Sequence, residues 1–112
     1  MKVAIIGSRN LTVYNIKDYI PEKCSEIVTG GACGIDSCAA EYAKTASIKL
    51  TLFIPQYTKY GKYAPIKRNH QIVDYADTVI AFWDGNSKGT KSVIDYCKKT
   101  AKQHTVIMIK KD

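Results

Sequence analysis

Five strand-sized runs rich in β-branched and apolar residues recur along the chain, at Val3–Ile6, Glu26–Thr29, Leu50–Ile54, Thr78–Trp83 and Thr105–Ile109. Most are apolar almost without interruption instead of alternating, which is what a strand needs when its sheet is covered on both faces. Helical spacing fills the gaps. Ile35, Cys38, Ala39, Tyr42, Ala43 and Ala46 recur at the intervals of one buried stripe, on a helix beginning near Asp36. A second helix opens at Ala64-Pro65, where proline suits the first turn, and is expected to turn Ile66, Ile72, Val73 and Ala76 inward. A third follows Gly89-Thr90 and carries Val93, Ile94, Cys97 and Ala101 toward the core. The stretch from Leu11 to Ile20 suggests a short helix stopped by Pro21, and the polar segment from Gln56 to Tyr63 reads as a mobile loop. Strands and helices thus alternate, which predicts an α/β fold with a parallel sheet between two helical layers.

A length of 112 residues is that of one domain, expected to span 1–112. No apolar run approaches the roughly eighteen residues of a membrane helix, and Met1-Lys2 leads straight into a strand, so a soluble cytoplasmic protein is expected. Cys24, Cys33, Cys38 and Cys97 are scattered, as reduced packing residues are. His70 and His104 have no partner at metal-ligand spacing, so neither a metal nor a cofactor is expected.

Seventeen basic residues against ten acidic ones leave a net charge of +7, which favours an anionic partner. All but two of the basic residues are lysines; the exceptions, Arg9 and Arg68, fall beside the glycine-containing loops at predicted strand ends. In an open parallel sheet, ligands bind outside the carboxyl ends of the strands, where helix N-termini and loop amides converge. There the sequence places Gly7-Ser8-Arg9, Gly30-Gly31-Ala32-Cys33-Gly34-Ile35-Asp36 and Asp84-Gly85-Asn86-Ser87-Lys88-Gly89-Thr90. Gly30, Gly31 and Gly34 ahead of a helix suit either close approach of amides to an anion or tight packing of strand on helix. The dinucleotide fingerprint is half met, and Gly85–Thr90 lacks the Gly-Lys-Ser/Thr of a nucleotide triphosphatase loop. Asp36 suits either a helix start or a ligand hydroxyl, and Asn69, beside Arg68, either a satisfied buried amide or a ligand contact. Guanidinium grips phosphate bidentately, so Arg9 and Arg68 are expected to face one ligand from two sides, both outside the core. Tyr57, Lys59, Tyr60, Lys62 and Tyr63 interleave rings and charges in a way that suits base stacking or a subunit contact.

Together with Pro65-Ile66-Lys67-Arg68-Asn69, these three loops resemble the SLOG superfamily over nearly the whole chain, most closely its small stand-alone bacterial and phage members. That resemblance implies a Rossmann-like, five-stranded sheet of order 3-2-1-4-5. It also implies a nucleotide-type ligand held by Gly7, Ser8, Arg9, Gly30, Gly31, Ala32, Gly34, Asp36, Arg68, Asn69, Asp84, Gly85, Ser87, Gly89 and Thr90. The superfamily includes the LOG phosphoribohydrolases and the single-strand-binding DprA proteins, and Gly30-Gly31-Ala32-x-Gly34-Ile35-Asp36 is similar to the DprA motif. The LOG motif ends in a catalytic glutamate at the position of Val93, so binding without turnover is expected. Asp36 and Asp84 are the candidate catalytic carboxylates should hydrolysis occur. The expected partners are a nucleotide or single-stranded DNA and further copies of the chain, with no membrane.

Overall fold

The computed structural model describes residues 1–110. Its strands are β1 (Lys2–Gly7), β2 (Glu26–Thr29), β3 (Lys49–Leu52), β4 (Thr78–Trp83) and β5 (His104–Met108), with helices α1 (Ile35–Thr45), α2 (Tyr57–Tyr60), α3 (Ala64–Tyr75) and α4 (Lys88–Thr100). All five strands pair in parallel in the order β3-β2-β1-β4-β5. Side chains alternate across β1, so Val3 and Ile5 pack with Ile27, Ile35, Ala39 and Phe82 on one face. Ala4 and Ile6 pack with Ile72, Val73, Val93 and Cys97 on the other. Each central strand is therefore apolar on both sides, as a doubly covered sheet requires.

After β3 the chain crosses over β1 and continues outward from its far side, so the direction of winding reverses between β1 and β4. Gly7 pairs with Phe82 at the carboxyl ends of these strands. At such a switch point the two following loops turn to opposite faces of the sheet and leave a crevice.

Several local expectations are corrected. Leu11 to Ile20 forms no α-helix, only a 3₁₀ turn at Ile16–Tyr19. Leu11, Val13 and Ile16 are nonetheless buried under α1, and the two-residue step from Leu11 to Val13 belongs to extended chain. The Gln56–Tyr63 segment is no open loop: α2 and a 3₁₀ turn at Gly61–Tyr63 run directly into α3. Ile66 points outward, 45% exposed, because the inward row of α3 is Ala64, Arg68, Ile72 and Ala76 in four-residue steps. Ala46 and Ala101 are likewise exposed; Ala101 closes α4 in the left-handed conformation at φ 58°. Of the cysteines, Cys97 is buried and Cys33 is exposed.

Candidate functional site

A cleft of about 470 Å³ opens at the switch point. The loop after β1 contributes Gly7, Ser8, Arg9 and Asn10; α1 contributes Asp36, with Ala32 before it; α3 contributes Pro65, Arg68 and Asn69; the β4–α4 segment contributes Asp84, Asn86, Ser87, Gly89 and Thr90. Ile6, Ile72 and Val93 form its apolar lining. Eleven of the fifteen residues expected at the site line this cleft, whereas Gly30, Gly31, Gly34 and Gly85 do not.

Two of those glycines make room for the fold. A Cβ on Gly34, which sits at φ 73°, would run into the backbone carbonyls of Arg9 and Ser8. Gly34 thus lets the start of α1 press against the loop after β1 and fix Ser8 and Arg9 in the cleft. A Cβ on Gly30 would come within 2.5 Å of Arg68 Nη1 and 3.1 Å of Asp36 Oδ2, so this position is where the two opposite charges approach each other.

Arg68 is only 8% exposed. Its Nη1 donates to the carbonyls of Gly30 (2.8 Å) and Phe53 (3.5 Å), and its Nε donates to Asn69 Oδ1 (2.9 Å). The expectation that Arg68 lies outside the core is overturned. It occupies the buried row of α3 and ties that helix to the ends of β2 and β3. Nη2 has no acceptor among the described residues. Burial lowers the guanidinium pKa, and the nearby Asp36 charge offsets part of that. Arg9, by contrast, is exposed and its side chain makes no hydrogen bond among the described residues.

Asp36 is 6% exposed. Its Oδ2 accepts from the Ala32 amide at 3.2 Å, while Oδ1 is buried with no partner among the described residues. The Thr29 hydroxyl adjoins this carboxyl without closing a hydrogen bond, and its Oγ1 is also unpaired. Burial raises the Asp36 pKa above the ordinary value; the Ala32 amide, Thr29 and Arg68 pull the other way. No ion pair closes between Asp36 and Arg68. Ser8, 2% exposed, likewise has a buried hydroxyl with no partner.

On the far wall, Asp84 Oδ1 accepts from the amides of Asn86 and Ser87, both at 2.8 Å. These two bonds hold its pKa below the usual range. Ser87 caps α4 by accepting from the Thr90 amide, leaving the amides of Lys88 and Gly89 without an acceptor among the described residues. The wall is therefore electropositive at its helix end. Val93 lines the cleft, whereas Asp95 is exposed and paired with Lys91 at 2.8 Å.

Asn10, Asn86 and Pro65 were missed as site residues by sequence reasoning. The two asparagines directly follow residues that were recognised, Arg9 and Gly85, so adjacency was the available signal.

Fold and cleft define a doubly wound α/β protein with a polar, partly cationic crevice at its switch point. Among solved structures the chain resembles DNA processing protein A from Helicobacter pylori, described for its single-stranded DNA binding mode. The TM-score is 0.74 at 24% identity, covering 95% of this chain and 64% of that one, a likeness of fold. In sequence the chain is similar to the uncharacterized SPbeta prophage-derived protein YoqJ of Bacillus subtilis (strain 168), 35% identical over 49 residues. That match covers 41% of this chain and 29% of that protein, so the chain spans less than two thirds of either relative. No family model matches it.

Proposed function

We propose that the chain is one SLOG-type domain whose cleft binds a nucleotide unit, with phosphate held by Arg9, Arg68 Nη2 and the amides opening α4, and sugar hydroxyls held by Asp36 and Ser8. The observation that carries this reading is the pair of buried, unpartnered atoms, Ser8 Oγ and Asp36 Oδ1, lining one cleft. A buried polar atom without a partner costs roughly 1–3 kcal/mol, and ligand groups bonded to Ser8 and to Asp36 would relieve that cost. Turnover is not part of the proposal. Val93 supplies no carboxylate where the LOG hydrolases use one, and the bonded Oδ1 of Asp84 belongs to its own loop.

The test is calorimetric titration of ribonucleoside monophosphates into the wild type and Ser8→Ala, with chromatography of the mixtures for free base. Saturable binding that Ser8→Ala weakens, without base release, supports the reading. Absence of binding to any of them refutes it, and repeated release of base makes the protein a hydrolase. A second reading, single-stranded DNA binding, is favoured by the net charge and by the fold shared with DNA processing protein A. It predicts affinity that falls steeply with salt.

A further inference from the structure

The two edges of the sheet are finished differently. β3, at one edge, is four residues long and begins with Lys49, whose exposed ammonium stands 3.6 Å from the Glu26 carboxylate. β5, at the other edge, is His104-Thr105-Val106-Ile107-Met108, with no lysine, arginine, carboxylate, proline or glycine, and Ile109 extends its apolar run. Lysine, proline and short length are what blunt an open strand against pairing. They guard β3 and are missing from β5.

Among the described residues β5 pairs only with β4. Gln103 O accepts from the Val79 amide and the Ile109 amide donates to Trp83 O, so the odd-numbered residues turn their backbone groups toward β4. Backbone groups alternate from side to side along a strand, which leaves the amides and carbonyls of His104, Val106 and Met108 facing out of the sheet. No loop or turn of the described residues bonds to them. The side chains beside this edge are also uncovered. Met108 is 60% exposed, and α1 packs on β1, β2 and β3, leaving Thr105 and Ile107 to line an open groove with Ile80 and Tyr19.

We propose that β5 is a self-association edge, where a second copy of this chain adds its own β5 antiparallel across a two-fold axis and the two sheets become one. The occupant follows from charge and symmetry. The chain carries a net charge of +7, which draws acidic partners and repels its own kind, yet β5 is an uncharged window in that surface. An acidic strand finds no cation along it, whereas a like copy meets no like charge. Centred on Ile107, the pairing sets Ile107 against its own counterpart, Val106 against Met108, Thr105 against Ile109 and His104 against Lys110. Centred on Val106, it would set Lys102 against Lys110, a repulsive pair, so charge selects the first register. Every bond that one copy makes through His104, Val106 or Met108 is repeated by the other, as a two-fold contact requires.

The test combines sedimentation equilibrium with disulfide trapping, and circular dichroism confirms that each variant is folded. The wild type should approach twice the chain mass as its concentration rises. Met108→Pro removes an outward amide from each copy and spares the ladder to β4, because that amide does not face β4. It should weaken association roughly tenfold or more, the loss counting once for each copy. In the proposed register the two Ile107 residues form a non-hydrogen-bonded pair with Cα atoms about 4.5 Å apart, within reach of a disulfide. On oxidation Ile107→Cys should therefore join two copies well above the wild-type background. Thr105→Cys, which lies opposite Ile109, should not. A wild type that stays monomeric at every concentration overturns the proposal, as does a dimer that Met108→Pro leaves unaltered or in which Ile107→Cys traps no more than Thr105→Cys. If Met108→Pro does not fold, the two cysteine variants decide.

Discussion

The two arginines at the rims of the cleft are the same residue type under opposite physical conditions. On the α3 rim, Arg68 is buried and hydrogen-bonded to two backbone carbonyls and Asn69; on the β1 rim, Arg9 is exposed and its side chain has no hydrogen bond among the described residues. The first is part of the scaffold and offers a ligand only its remaining Nη2. The second keeps its whole guanidinium open to solvent at the mouth of the cleft. Cationic residues beside glycine-rich loops therefore cannot be assigned one shared role from their neighbours in sequence; burial divides them.

The largest effect that would sharpen this contrast comes from beneath the β1 rim. Gly34→Ala combines positive φ with a backbone collision, so it should cost about 3 kcal/mol of stability and displace Ser8 and Arg9. Urea denaturation at constant slope measures it, and a loss under about 1 kcal/mol would mean that the loop yields easily. Next comes Arg68→Ala, which leaves the Gly30 carbonyl without its donor and removes the nearby charge that offsets the burial of Asp36. It should destabilise by about 2 kcal/mol, with Arg68→Lys recovering little because an ammonium cannot reproduce the planar fork. Unchanged denaturation midpoints would erase the distinction between the rims.

For Arg9→Ala the expectation inverts. Stability should shift by less than about 0.5 kcal/mol, while affinity for a phosphate-bearing ligand falls roughly tenfold, read by calorimetry. The smallest effect is that of Asp36→Asn on stability. Burial raises the carboxyl pKa in the folded state, so ionisation works against folding. The penalty is absent below the ordinary value of 3.8 and fully present above the raised folded value. Asp36→Asn should therefore gain stability relative to wild type as pH rises through that window, in thermal melts across the acid range. A difference that shrinks with rising pH would reverse the sign assigned to this group.

Sheet, strand order and cleft position were legible because they depend on patterns that a line of residues can carry. Uninterrupted apolar strands demanded cover on both faces, and the three loops carried the resemblance from which the winding order came. The glycines after β2 were less legible, since close approach to an anion and close approach to another backbone ask for the same residue; only the positions of the Ser8 and Arg9 carbonyls separate the two for Gly34. The burial of Arg68 runs against its charge but follows its spacing. Ala64, Arg68, Ile72 and Ala76 are spaced four apart, and a row that begins and ends in buried residues buries what lies between. A charge in such a row is tolerated because its donors reach backbone carbonyls, as Nη1 does at Gly30. In Leu11 to Ile20 the two-residue step from Leu11 to Val13, both buried, is the mark of extended chain that overrides the helical expectation.

Because one guanidinium joins α3 to the carbonyl ends of β2 and β3, that wall of the cleft has little freedom to breathe separately from the sheet. An opening that frees Arg68 also exposes Gly30 and Phe53 carbonyls, so amide hydrogens along α3 near Arg68 should exchange in one cooperative step with those of β2. The shape of that wall is therefore set in advance, and the freedom to adjust across the cleft lies with the exposed side chain of Arg9.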